Sequence, residues 1–454
     1  MKGRCSRWLS RDLRSPTVQF VDEYCQWYQP LFPEVRSLEA FKQLHLGVST
    51  EVNRKSLPAI AQVAGLDNAQ SLHHFLTESP WQSQHLRQQR LQLILQTLGE
   101  REIVLVIDDT GDRKKGQHTD YVKRQYIGNL GKIENGIVAV TAYGVVDNIT
   151  LPLVFEVYKP KERLKPDDIY RSKPEIAAEM MRNLQAMGLS FKLVLADSLY
   201  GESSCGFIDV LYELKLDFVV AIRSNHAVWL PRGQTVRCNR WRKFERVFSD
   251  GRTEQRYIRE IIFGKRRAQQ YWELTTDPET LPKNATWSVM THIENLNYHQ
   301  VGNLYGLRNW VEYGLKQSKN ELGWADFRVT NYAQIQRWWE MVMSAYLLVS
   351  LHTNALHQSE PQHSRHHDVQ PREIALKLAQ HPDWHPAIGW KQALNNLRLV
   401  LQPSVILNLL QPWLNLFPIP RLSAGLECLI ALMNRFSGSL PCHAPHSNFH
   451  FSSA

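Results

Sequence analysis

The order of apolar runs between residues 103 and 222 limits the fold of this chain more than any other feature. Ile103-Val-Leu-Val-Ile107 is an uninterrupted apolar run, the pattern of a strand buried on both faces. Gly136 to Val146 and Thr150 to Tyr158 predict two further strands, joined by a turn at Asp147-Asn148. Glu175 to Met187 has helical apolar spacing and stops at Gly188. Phe191-Lys-Leu-Val-Leu-Ala196 predicts a fourth strand, Ser203 to Leu214 a helix, and Asp217 to Ile222 a fifth strand. Three strands with turn-like links, then helix, strand, helix, strand, specify an α/β domain built on a mixed sheet.

Two of these strands are followed at once by a carboxylate. Asp108 comes after the first, in Val106-Ile107-Asp108-Asp109-Thr110-Gly111, and Asp197 after the fourth, in Leu195-Ala196-Asp197-Ser198-Leu199-Tyr200-Gly201. An acid at a strand end is held by the sheet yet open at its edge, which suits a metal ligand. Asp109 competes with Asp108 for that role, but neighbouring strand residues face opposite ways, so only one of them can serve it. Glu202, Asp112 and Asp120 lie near these segments, and loop solvation or capping accounts for them. A third acid comes later, in Tyr305-Gly-Leu-Arg308-Asn-Trp-Val-Glu312-Tyr-Gly-Leu-Lys-Gln-Ser-Lys319. On one continuous helix, Tyr305, Arg308, Glu312 and Lys319 fall within about 60° of one another. Leu304, Leu307, Val311 and Leu315 take the neighbouring sector as the packing face. Three carboxylates without soft ligands favour Mg²⁺ or Mn²⁺ over zinc.

Tyrosine, arginine, glutamate and lysine at this spacing resemble the signature of bacterial insertion-sequence transposases of the DDE class. The resemblance extends to Asp-x-Thr at Asp108, to Asp-x-x-Tyr-Gly at Asp197, and to Lys114-Lys115-Gly116 and Gln125-Tyr126-Ile127-Gly128. It spans roughly residues 55 to 355. It implies an RNase H-like fold, in which the first and fourth strands are neighbours, so that Asp108 and Asp197 meet and Glu312 arrives from the later helix. It implies Asp108, Asp197 and Glu312 as catalytic acids and metal ligands for two Mg²⁺ or Mn²⁺ ions. Tyr305, Arg308 and Lys319 are implied as DNA contacts, with Arg308 and Lys319 neutralising phosphate charge. The partners implied are double-stranded DNA, as terminal inverted repeats and target, and a second copy of the chain in a synaptic homodimer. The Asp-x-Thr register selects Asp108 over Asp109.

Composition agrees. Apolar residues at 43% and charged residues at 21% fit a soluble globular protein, and 454 residues exceed one simple core. A net charge of +9 favours a polyanionic partner. The six cysteines form no Cys-x-x-Cys pair, which fits reduced thiols in the cytoplasm, and the DNA partner that the resemblance implies would place the chain at the nucleoid. The charged start, Met1 to Arg14, is unlike a signal peptide, and the longest apolar run, Met341 to Leu351, is too short to span a bilayer, so no membrane role is expected.

Residues 1–100 are expected to be helical and to bind the ends of an element. Gly65-Leu-Asp67 separates two short apolar-periodic segments, as in a helix-turn-helix, and Asn68, Gln70, His73 and His74 lie on the second; an ordinary helical hairpin is the alternative. The catalytic domain is expected over 101–356. Within it, 223–295 reads as a β-rich insertion in which arginines and lysines interleave with Trp229, Trp241, Phe244, Phe248, Tyr257 and Phe263, a composition suited to phosphate contact and base stacking. Residues 357–372 form a linker and 373–454 a helical region with a disordered tail. His363, His366 and His367, and Cys442, His443, His446 and His450, are read as linker and tail rather than zinc ligands.

The expected activity is cut-and-paste transposition: end binding, phosphodiester hydrolysis and strand transfer. A stand-alone metal-dependent nuclease of the same fold, or an inactive domesticated DNA-binding protein, are the alternatives. A serine or tyrosine recombinase would instead form a covalent adduct with DNA.

Overall fold

The computed structural model describes residues 18–226, 232–233, 235–248, 252–262, 269–357, 370–386 and 389–436. They form two compact units: one takes the chain up to Gly99, Glu321–Phe327 and the residues from Arg337 on, the other Glu100–Asn320 and Arg328–Gln336. The two histidine groups weighed for zinc, and Trp229 and Phe263 of the insertion, lie outside the described residues.

The first unit opens with α1 (Gln19–Gln26), α2 (Val35–Ser49), α3 (Leu57–Val63), α4 (Gln70–Thr77) and α5 (Ser83–Leu98). Between α3 and α4 the chain turns at Gly65, whose φ of +72° is the left-handed conformation that ends many helices. A β-carbon there would also lie 2.7 Å from the Asn408 side chain. Ile60, Ala61 and Val63, and Leu72, Phe75 and Leu76, are buried, whereas Asn68, Gln70, His73 and His74 are exposed.

This unit also carries a histidine with a fixed tautomer. His45 is fully buried. Its Nδ1–H donates to the Phe41 carbonyl at 2.8 Å, so its Nε2 accepts from the Ser344 hydroxyl at 2.9 Å. Burial lowers its pKa to about 4, against the opposing bond to Phe41. The unfolded chain therefore binds a proton that the folded chain refuses between pH 6.5 and 4, and stability is lost as pH falls through that window. His45→Gln should flatten the denaturant midpoint against pH over this range, removing an acid sensitivity of at most ~3 kcal/mol. An unchanged acid limb would clear His45 of the effect.

The second unit contains β1 (Ile103–Arg113), β2 (Lys123–Ile127), β3 (Lys132–Val146), β4 (Ile149–Val157), α6 (Lys173–Ala186), β5 (Phe191–Ala196), α7 (Ser198–Gly201), α8 (Asp209–Glu213) and β6 (Phe218–Ile222). β3 and β4 turn at Asp147 and Asn148, both at positive φ, as a tight hairpin demands. The chain continues through β7 (Arg237–Cys238), β8 (Arg242–Val247), β9 (Thr253–Ile262), β10 (Gln270–Thr275) and β11 (Thr286–Thr291) to α9 (Tyr298–Gly306) and α10 (Asn309–Asn320). The sheet order is β2-β3-β1-β5-β6-β11-β10-β9-β7, with β4 also on β3 and β8 on β9. β1, β5 and β6 run parallel; β3 and β4 join antiparallel on one side. This is the mixed sheet of an RNase H-like fold. The insertion's strands belong to the same sheet, because β11 pairs antiparallel with β6.

Two expectations need correction. The first strand does not stop at Ile107: β1 runs on to Arg113, because the long β3 keeps pairing with it as far as Gly136. The segment 305–319 is not one helix. α9 ends at Gly306 and α10 begins at Asn309, with the join held by three-residue backbone bonds such as Arg308 N–H to Tyr305 O at 3.0 Å. The two halves seat on different strands: a β-carbon on Gly302 of α9 would run into Phe244 of β8, and one on Gly314 of α10 into Tyr143 of β3.

The first unit resumes along α11 (Tyr332–Leu351), and continues with α12 (Thr353–His357), α13 (Gln370–Leu378), α14 (Trp390–Leu416) and α15 (Pro420–Met433). Met341 to Val349 are fully buried in α11, as the apolar run there predicted. Glu340 of the same helix is fully buried and meets Arg87 at 2.6 Å and Arg90 at 2.9 Å.

Candidate active site

Ile107 pairs with Ala196 at the last rung between β1 and β5. Asp108 and Asp197 follow directly, so their backbones start ~4.8 Å apart, side by side at the carboxyl edge of the parallel strands. Asp197 is extended and caps α7, its Oδ1 accepting the Leu199 N–H at 2.9 Å. The Tyr-Gly pair that follows has a steric cause: a β-carbon on Gly201 would lie 1.9 Å from the Ala221 carbonyl of β6. Only glycine lets the chain turn that close to the sheet. The Tyr200 hydroxyl beside it is buried and has no hydrogen-bond partner among the described residues.

Glu312 reaches the same edge through Arg308. The Arg308 guanidinium donates from Nη2 to Asp108 Oδ2 at 3.0 Å and from Nη1 to Glu312 Oε1 at 3.3 Å. Arg308 and Asp108 are mostly buried, while the Glu312 side chain is 60% exposed. Burial pushes the Asp108 carboxyl up to about 7; Arg308 pulls it down, and the charges of Asp197 and Asp109 push it up further. Burial raises Asp197 as well, again opposed by Arg308. Burial works against the charge on Arg308, but Asp108, Tyr305, Asp197 and Glu312 outweigh it and hold the guanidinium protonated. This edge therefore carries two mostly buried acids and one exposed one, short of positive charge, with one arginine between Asp108 and Glu312.

Lys319 does not share that edge. Its Nζ donates to the Gly111 carbonyl at 2.7 Å and meets Asp112 at 3.0 Å. Asp112 is therefore not a loop residue but a buried member of β1, paired from α10. Seven helical residues from Glu312 to Lys319 rise ~10 Å, and four strand residues from Asp108 to Asp112 ~13 Å. The two pairs thus fix α10 along β1 at both ends. Tyr143 adds a third tie, its hydroxyl 3.0 Å from Ser318 Oγ. Tyr305 is buried, and burial raises its pKa.

Asp109 turns the other way from Asp108 and pairs with Lys173, at the start of α6. The Ser172–Glu175 capping box that begins α6 is legible as Ser-Lys-Pro-Glu, but nothing in the sequence ties Lys173 to an acid 64 positions earlier. Glu202 caps the end of β6, accepting the Arg223 N–H at 2.7 Å, and Asp120 caps α11 through the Tyr332 N–H at 2.7 Å.

The insertion's cations and rings meet in pairs. Arg256 lies over Trp287 at 5.3 Å, Arg246 over Phe248 at 4.7 Å and Arg259 over Trp241 at 4.4 Å. A cavity of about 300 Å³ opens beside Glu312 and Tyr305, and Arg246, Arg256 and Trp287 also line it.

Hard carboxylate oxygens and a deficit of positive charge fit a divalent cation at Asp108, Asp197 and Glu312. Among the described residues, however, no three acidic, histidine or cysteine side chains are already gathered as a ligand cluster. Arg308 stands between Asp108 and Glu312 instead.

Residues 30–268 match the family described as DDE superfamily endonuclease, a span that includes Asp108 and Asp197 and ends before Glu312. The chain is also 59% identical over 359 residues to a probable transposase for insertion sequence element IS701 from Microchaete diplosiphon, covering 78% of this chain and 93% of that relative. No described helix is long and apolar enough to cross a membrane.

Proposed function

Since the chain belongs to the DDE superfamily of insertion-sequence transposases, we propose that it binds the ends of its element, cuts them and joins them to target DNA, with Asp108, Asp197 and Glu312 as the catalytic acids. The observation that carries this is the shared sheet edge, where Asp108 and Asp197 emerge from paired strands and Arg308 ties Glu312 to Asp108. Family membership implies use of a divalent metal. Our reading is Mg²⁺ or Mn²⁺, two ions, held by these three carboxylates. Such ions, when bound, supply the Lewis acidity for phosphodiester hydrolysis and strand transfer.

The chain's own groups do the positioning. Lys319 and Asp112 hold α10 against β1, so Glu312 stays near Asp108, midway along β1. That makes Lys319 a positioning residue more than a phosphate contact. Arg308 neutralises the acids in this structure, and its charge becomes available to a DNA phosphate once a cation balances them. Tyr305, Arg246, Arg256 and Trp287 surround the cavity next to Glu312 and give the incoming strand cations and an aromatic face. A homodimer bringing two ends together and residence at the nucleoid complete the reading.

The deciding assay offers purified protein, Mg²⁺ and a terminal-repeat duplex beside a scrambled one. Cleavage at the repeat followed by joined products supports transposition; cleavage with no joining at any target concentration leaves a nuclease. Exposed α4 residues are the probe for end recognition, because residues 18–99 share a unit with the later helices and a deletion would unfold it. Gln70→Ala combined with His73→Ala should cut the preference for the repeat. An unchanged preference places recognition elsewhere.

Arg308→Ala should weaken DNA binding and lower the slope of log affinity against log salt by ~0.9, one phosphate contact on duplex DNA. Superimposable curves for wild type and variant would leave Arg308 with only its role toward Asp108 and Glu312.

A further inference from the structure

A second cavity, of about 230 Å³, lies on the same insertion and away from the acids. Arg240, Arg242, Ile258, Glu260, Trp272 and Tyr298 are among its lining. Strand alternation puts Ile258 and Trp272 on the same sheet face as Arg256 and Leu274, which line the cavity beside Glu312. The two cavities therefore sit on one face, at opposite ends of α9: Tyr298 lines this one and Gly306 the other. Eight helical steps separate those residues, ~12 Å.

Three observations point to an anion here. The Trp272 indole Nε1–H is buried, in a residue only 9% exposed, and has no acceptor among the described residues. Buried donors are nearly always satisfied, so an unpaired one on a residue that lines a cavity marks a place for an acceptor. Arg240 and Arg242 are exposed around it, and Arg242 is steadied over the Tyr298 ring at 5.1 Å. The start of α9, at Asn297 and Tyr298, also lines the cavity, and its positive end favours negative charge. The Glu260 carboxylate lies in the lining too, where its amide neighbour Asn239 donates to it at 3.0 Å.

We infer that this cavity holds one backbone phosphate of the DNA strand that enters the active site, accepted by the Trp272 indole N–H and the Arg242 guanidinium. The inference rests on the transposase reading and deepens it by naming a contact outside the catalytic edge. The 3.4 Å axial rise and the winding of the duplex together set neighbouring phosphates of one strand roughly 7 Å apart, so ~12 Å corresponds to about two nucleotides from the position beside Glu312. The strand would then be held at both ends of α9.

The test uses the full-length protein and a terminal-repeat duplex with phosphates ethylated singly. In wild type, ethylation of one phosphate about two nucleotides from the cut should block binding. In Trp272→Phe, which keeps the ring and loses the N–H, that block should vanish, and affinity for the unmodified duplex should fall ~3- to 10-fold at unchanged salt slope. Arg242→Gln should lose the same block and lower the slope by ~0.9. Arg242 is exposed, so its variant reports even if Trp272→Phe folds poorly. Wild-type interference retained in Arg242→Gln, at unchanged affinity and slope, overturns the phosphate site while leaving the transposase reading intact. Absence of repeat binding by the wild type overturns both.

Discussion

Asp108→Asn abolishes DNA cleavage while end binding survives: that is the expected result with the largest effect. Asparagine keeps the shape of the side chain and removes the charge a divalent cation needs. Asp108 is buried, and burial already makes its charge costly, so the neutral variant should fold at least as well as wild type. Loss of one member of a catalytic set that works as a unit typically costs at least ~10³-fold in rate. Asp197→Asn and Glu312→Gln should behave alike. Asp109→Asn is the control, because Asp109 faces Lys173 rather than Arg308, and it should keep most activity. Mg²⁺-dependent nicking of labelled repeat DNA, beside a mobility shift on the same samples, measures both properties. Active Asp108→Asn with dead Asp109→Asn would move the ligand role by one residue.

The largest stability effect is expected at Glu340, where one carboxylate meets two arginines in the first unit. Glu340 and Arg90 are both fully buried, and Arg87 is mostly so. Removing one partner leaves an uncompensated buried charge, which costs ~3–5 kcal/mol. Glu340→Ala should therefore shift the urea midpoint strongly, and could leave the chain unfolded at 37 °C. Arg90→Met combined with Glu340→Leu should recover much of the loss, since an apolar pair of similar volume avoids desolvating charge. A single variant as stable as wild type would show that water reaches the pair.

The strand order could be read from sequence because each run carried its own local signal. Ile103–Ile107, Phe191–Ala196 and Asp217–Ile222 are short apolar stretches bounded by polar residues, and the structure places strands at all three. Asp108 and Asp197 were legible because each follows such a run. What failed to show was whatever depends on distant partners. The continuation of β1 to Arg113 follows from the length of β3, not from the polar residues of Asp108–Arg113 themselves. The break at 307–308 follows from what α9 and α10 each pack against. The pairing of Lys319 is not legible either, because charge alone does not say which way a lysine reaches; the buried acid it meets is 207 positions away.

The insertion's strands continue the catalytic sheet, and sheets twist. Each neighbouring pair of strands is rotated by ~20–25°, so the three steps from β6 through β11 and β10 to β9 add up to ~60–75°. The direction of β9 is thereby turned by that angle from β6, although Arg246 and Arg256 still line the cavity beside Glu312. A straight rod of DNA lying along one direction diverges from the other. The number of strands acts as an angular gauge: excising one hairpin's worth of sheet would swing the arginines back by ~40–50°, with no catalytic side chain altered.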